Sequence, residues 1–355
     1  MSPLNTHEKR LASLARSIRA AIIVPSLFAI VLLVIKQPEL ASFAVFGTFA
    51  HQMMVDYDTA GGIRFVQSAR LSLWGAIMVS LGTLASASAW LASCGAIVAG
   101  FLAELPALTS GRIAAIRSAL LLAFMLAVSV PAPPQSIFPN LAGWLVAGII
   151  TQPALLLIWI PLAGDAACHE SVANAAALRL TWVGRAVGCG LAMGFALWLT
   201  RILRVEHAFW IVLGVIPVLN ASGKSVTQTF WQEQAGTLIG FLASALVIEI
   251  IGPHQMWYWL MLPLVVFCSV YAASAIGFIA GQASFTLFAV VLFCILLPQQ
   301  RETGILRVED IAIGGVVSLV AGSLRRLTEG KLKVPRLRFS PVGGCRRLMV
   351  RRRTH

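Results

Sequence analysis

The chain has 355 residues, 58% hydrophobic and 12% charged, where ordinary soluble domains carry about 25% charged residues. That balance argues against a soluble domain. The net charge of +13 resembles a nucleic-acid signal, but most of it sits in the tail Arg325 to His355, where Phe339 is the only aromatic available for base stacking. A basic tail directly behind an apolar segment is what the positive-inside rule expects of a cytoplasmic end lying along anionic headgroups.

Residues 1–16 are polar and basic (Lys9, Arg10, Arg16) and read as a cytoplasmic N-terminal segment. The apolar run Ile18 to Ile35 is long enough to span and lacks a small-x-small cleavage site, so it is not read as a signal peptide. The first membrane repeat is expected over 17–163, with spans near 17–35, 40–54, 69–86, 89–104, 113–131 and 140–163. Leu71 to Ala103 carries no charged residue. As one helix it would be about 50 Å long against a hydrocarbon core of about 30 Å, so it must fold back. Pro106 ends the fourth span, and Pro131, Pro133 and Pro134 end the fifth, since proline lacks the donor that a helix needs.

Residues 164–181 read as a cytoplasmic linker. The second repeat is expected over 182–324, with spans near 182–201, 207–220, 232–251, 255–272, 274–297 and 309–324, followed by the basic cytoplasmic tail 325–355. Gln255 to Gln300, again without charge, would run about 69 Å as one helix and must also cross twice. The expectation is an all-α polytopic membrane protein with about twelve transmembrane helices. With the N-terminus inside, the outside segments keep only five of the 27 basic residues: Lys36, Arg201, Arg204, Arg301 and Arg307. Arg301 and Arg307 strain this assignment, because they make one outside loop basic. The six cysteines (Cys94, Cys168, Cys189, Cys268, Cys294, Cys345) show no CxxC spacing and read as small buried hydrophobes.

A short stretch occurs twice. Glu39 to Gly47 aligns with Glu206 to Gly214 at a shift of 167, matching Ala41 with Ala208 and Val45 with Val212. Both copies are apolar, short for a span, and end in polar groups, His51-Gln52 in one and Asn220 to Lys224 in the other. Arg19-Ala20 aligns with Arg185-Ala186 at 166, and Phe65, Gln67, Leu73 and Gly75 align with Phe230, Gln232, Leu238 and Gly240 at 165. Short, interrupted apolar segments at matching places in two halves point to a transport site. Six spans per half is an even number, so the two repeats should share one topology about an axis along the membrane normal.

At these residues the chain resembles the fusaric acid resistance protein-like (FUSC) family, which includes aromatic carboxylic acid exporters. The resemblance rests on His207 to Gly214, on Gly236-Thr237-Leu238-Ile239-Gly240, and on Arg307-Val308-Glu309-Asp310 followed by Ile313-Gly314. It covers 17–324 and is clearest from 182 onward. It implies export of organic, often aromatic, anions from the bacterial cytoplasm, with the protein in the inner membrane and both termini cytoplasmic. Relatives often have a basic residue just ahead of the Gly-Thr pair, where this chain has Glu233. Many larger relatives carry a soluble cytoplasmic domain between or after the membrane modules, and here the linker is short. A passive organic-anion channel and a structural envelope protein without substrate are the rival readings.

A carboxylate substrate needs cations or N–H donors near mid-membrane and apolar walls for its ring, and intramembrane ionisable groups are costly enough to mark sites. Arg19 and Arg185 could face the anion as a pair, or anchor the inner helix ends by snorkelling. Lys224 could meet substrate at the inner mouth, or be a plain positive-inside lysine. Phe43, Phe46, Phe209 and Trp210 could stack on a ring, or form the interfacial belt. His51, Gln52 and Asn220, at the broken ends, must be bonded to protein or line water.

Glu104, Glu233 and Glu249 are the candidates for proton coupling. Arg307 and Asp310, three apart on one helix face, could gate or clamp. Gly47, Gly75, Gly214, Gly236 and Gly240 read as close helix contacts. No catalytic residue, cofactor or metal is expected, since no HExxH, Walker A loop or nucleophile elbow is present. The expected partners are an organic anion and the lipid bilayer, with a periplasmic accessory efflux subunit or a homo-oligomer as further alternatives and no nucleic acid.

Overall fold

Residues 6–54, 61–104, 116–157, 175–202, 226–296 and 316–317 are described by a computed structural model, and among them every regular element is a helix. Helix α1 (Thr6–Ala29) runs on as a wider π-helical turn, Ile30–Ile35, and stops at Lys36 with φ 58°. Helix α2 (Pro38–Phe49) also ends in a π turn, Ala50–Met54. The first half continues with α3 (Gly61–Ser86), α4 (Ala89–Glu104), α5 (Arg117–Ser129) and α6 (Ile137–Leu157). The second half shows α7 (Ala175–Ile202), α8 (Val226–Ile251), α9 (Gln255–Tyr271, with a π turn Ala272–Ile276) and α10 (Phe278–Leu296).

The six expected spans of the first half each find a helix. Two of these helices begin well before the apolar stretch does, α1 at Thr6 and α3 at Gly61. Hydropathy marks only the lipid-facing part, while backbone hydrogen bonding carries a helix on through polar residues. The expected spans 207–220 and 309–324 lie outside the described residues, apart from Val316 and Val317, which are helical.

By length and composition five helical stretches can cross a bilayer: Arg10–Ile35, Phe65–Ser86, Gln228–Ile251, Gln255–Ile276 and Phe278–Leu296. Ala89–Glu104, Arg117–Ser129 and Ala186–Ile202 are apolar but shorter. The side chains that α8 turns outward are Trp231, Leu238, Ile239, Leu242, Leu246 and Ile250. Only 22% of its most apolar window is buried. So continuous an apolar face would promote aggregation in water, whereas lipid tails match it. The chain is a multi-pass membrane protein.

Within the first half α3 packs on α5 and α6, and α2 packs on α6; in the second half α8 and α9 both pack on α10. Among the described residues, two helix pairs join the halves most extensively. Helix α4 lies along α7, and α1 lies along α9. Glycines bring α4 and α7 close, because a Cβ on Gly190 would sit 2.5 Å from the Ile97 carbonyl oxygen, and one on Gly100 would sit 2.9 Å from Gly190 Cα. Rings fill the other contact, with Phe28 5.1 Å from Trp259, and Phe49 of α2 stacks 5.7 Å from Phe288 of α10.

Arg201, at the end of α7, donates from Nη2 to the Val128 carbonyl at 2.8 Å and to the Ser86 carbonyl at 3.2 Å. It thereby caps the C-termini of α3 and α5, where open carbonyls and the helix dipole favour a cation.

Candidate functional site

The α2 segment has a physical reason to break where it does. Nine of its residues, from Leu40 to Phe49, are buried, including Phe43 and Phe46. Its π turn then brings two polar side chains, His51 and Gln52, into the interior with essentially no exposure. π turns widen a helix by one residue and often lie at functional sites.

Arg19 meets Gln52 there. Its Nε donates to Gln52 Oε1 at 2.8 Å, and the side chain is only 5% exposed. With that partner and so little exposure, the side chain points into the protein interior.

His51 Nδ1 donates to the Gly47 carbonyl at 2.8 Å, leaving Nε2 3.2 Å from Ser72 Oγ. The Ser72 hydroxyl also lies 2.9 Å from the Ser68 carbonyl. One hydroxyl proton can serve only one of these acceptors at a time. With a neutral ring it can turn to Nε2; with a doubly protonated ring, Nε2–H donates and the hydroxyl turns to Ser68.

Trp144, fully buried on α6, closes this group from above. Its ring centroid is 5.7 Å from that of His51, and it fits only because Gly47 and Gly75 lack side chains. A Cβ on Gly47 would stand 3.3 Å from the indole Cε3, and one on Gly75 would overlap the indole outright. Gly148 likewise leaves room for the Ser72 hydroxyl.

In the second half, Glu233 on α8 is fully buried and accepts from Gln282 Nε2 on α10 at 3.0 Å. Gly236 and Gly240 hold α8 against α10, since a Cβ on Gly236 would come within 2.7 Å of the Ile279 carbonyl oxygen. Of the other acids, Glu104 is 2% exposed and lies 3.7 Å from Arg117 Nη1, while Glu249 is exposed. Phe43 and Phe46 belong to the packed apolar core.

The structure thus brings Arg19, His51 and Gln52 together and places Glu233, Gly236 and Gly240 in a separate cluster. Arg185 lies on α7, but its side chain falls outside the described residues. Phe209, Trp210, Gly214, Asn220, Lys224, Arg307 and Asp310 also lie outside them. Sequence reasoning missed Trp144, Ser68, Ser72 and Arg201. Only the glycines opposite Trp144 hinted at a large ring between the helices.

Residues 195–321 match the family model described as fusaric acid resistance protein-like. This is the family that the sequence resembles, and it points to membrane transport or efflux. No curated protein and no solved structure matches the chain.

Proposed function

With that family match as premise, we propose that the protein exports organic, above all aromatic, carboxylates from a bacterial cytoplasm by proton-coupled secondary transport. It would sit in the inner membrane with both termini cytoplasmic. The observation that carries the reading is the Arg19–Gln52 bond, a buried cation with an amide partner inside an apolar span and beside a π turn. An intramembrane arginine is costly, and the anion it attracts offsets that cost. Arg185, Lys224 and Asn220 are the second-half groups proposed to meet the substrate, with Phe209 and Trp210 against its ring. Arg307 and Asp310 remain candidates for a gate. Glu233 is the coupling acid that the burial pattern favours, because Glu104 has Arg117 beside it and Glu249 is exposed.

The architecture proposed is two six-helix repeats about an axis along the membrane normal. The two contacts between halves support it. Fourth helix on first helix is the α4–α7 contact, and first on fourth is the α1–α9 contact. A twofold relation demands that reciprocity. The third-on-fifth pairing also repeats, as α3 on α5 and α8 on α10.

The test is efflux from cells preloaded with labelled acids, with and without the protein, across aromatic and aliphatic carboxylates. Faster loss of aromatic acids that depends on the protein is expected. If a protonophore leaves that loss unchanged, the passive-channel reading replaces the coupled one. If no acid is lost faster, the structural-protein reading gains.

A further inference from the structure

Several buried polar atoms lack a hydrogen-bond partner, and five of them belong to the π turn after α2, to α3 and to α6: Gln52 Nε2, Gln67 Oε1, Ser68 Oγ, Thr151 Oγ1 and Gln152 Oε1. Helix geometry sets them in a single layer. Helices α3 and α6 run antiparallel, with Asn140 bonded to Thr83 near one end and Gly148 against Ser72 nearer the other. Ser68 is one turn before Ser72, and Thr151 and Gln152 are one turn past Gly148, so these residues face the same level. Gln52 follows His51 in the π turn and holds Arg19 at that level from α1. Serine and threonine inside apolar helices ordinarily satisfy themselves on the carbonyl four residues back, as Ser72, Thr83 and Thr48 do here. Ser68 and Thr151 do not.

Native interiors leave few polar atoms unsatisfied, and a group of them inside a membrane protein is where water or a ligand would be held. We propose that this layer, enclosed by α1, the π turn after α2, α3 and α6, is a binding compartment for the carboxylate group of the substrate. It lies inside the first half of the chain and not in the seam between the halves, where Phe49, Phe285 and Phe288 pack ring on ring. The donors suit an anion: the Gln52 amide N–H, the Ser68 and Thr151 hydroxyls, and the Arg19 guanidinium. The amides of Gln67 and Gln152 can each present nitrogen or oxygen by a half-turn.

The matching stripe in the second half sharpens the assignment. Ser68, Ser72 and Gly75 on α3 correspond to Glu233, Thr237 and Gly240 on α8, each 165 positions on. Where the second half has a carboxylate, the first half has a hydroxyl. Glu233 would repel an anion, so the two stripes differ: the one on α3 receives the carboxylate and the one on α8 carries the proton.

This inference rests on the transport reading, and the experiment separates the two. Benzoate binding to the purified full-length protein is measured for the natural chain and for Ser68→Ala, Thr151→Val and Thr151→Ser. Separately, Ser68→Cys is treated from the cytoplasmic face with a water-soluble thiol reagent, against the natural cysteines as background. Binding should weaken about tenfold or more in Thr151→Val and in Ser68→Ala and stay near normal in Thr151→Ser. Benzoate should slow labelling of Ser68→Cys. If the natural chain moves benzoate but the variants bind it normally and Ser68→Cys is not protected, the compartment is refuted while the transport reading stands. If the natural chain neither binds nor moves benzoate or an aliphatic dicarboxylate, both fail. Should Thr151→Val not fold, the protection of Ser68→Cys decides alone.

Discussion

Gly190→Ala is the sharpest perturbation of the contact between the halves. The added Cβ would stand 2.5 Å from the Ile97 carbonyl oxygen, with Ile97 C and Phe101 N both at 3.3 Å. Every one of these neighbours is backbone, so no side chain can swing away. Ordinary contact would require α4 and α7 to separate by about 1 Å, and overpacking of this kind costs about 1–3 kcal/mol. Alanine recovers about 0.5–1 kcal/mol of helix propensity, which the clash outweighs in most of that range. Gly188, two residues earlier on the same helix, has nothing within 4 Å of its would-be Cβ, so Gly188→Ala keeps the propensity gain and meets no clash. Thermal melting of the two detergent-solubilised variants, followed by fluorescence-detected size exclusion, reads the difference. Gly190→Ala should melt several degrees below the natural protein, and Gly188→Ala at or slightly above it. Equal melting of the pair would refute the close α4–α7 contact, and with it one of the two reciprocal contacts behind the duplicated architecture.

Arg201→Ala should lower the melting temperature by an amount corresponding to about 1.5–3 kcal/mol, since it removes a charged donor from two helix-terminal carbonyls; unchanged melting would show that the cap contributes nothing. Arg19→Gln should reach the membrane at normal levels yet lose most carboxylate efflux, and full efflux would remove Arg19 from the path. Glu233→Gln keeps the Gln282 contact and removes the ionisable group, so downhill carboxylate flux should persist while its dependence on a proton gradient disappears. Retained dependence would transfer the coupling role to another group.

Much of the first half was legible because hydrophobic runs and proline stops are local signals. The break at His51-Gln52 was visible as a polar pair ending a short apolar stretch, and it became a π turn that buries both side chains. What stayed hidden depends on partners far along the chain. Glu104 reads in the sequence as a coupling candidate, and only the fold shows it buried beside Arg117 at the start of α5. Arg201 read as one of five outside charges; its function as a cap appears only once the ends of α3 and α5 lie beside it. Trp144 looks like one more aromatic in an apolar run until Gly47 and Gly75 are seen against its indole. Ser68 and Thr151 resemble any self-satisfied helix hydroxyl in the sequence, and only the unfilled hydrogen bonds set them apart.

The most direct measurement is benzoate flux into inside-out vesicles reconstituted with the pure protein under an imposed proton gradient. The proposed function predicts accumulation above the external concentration, collapse of that accumulation when the gradient is dissipated, and near loss of it in Arg19→Gln. Flux equal to that of protein-free vesicles, for benzoate and for other carboxylates alike, would contradict it.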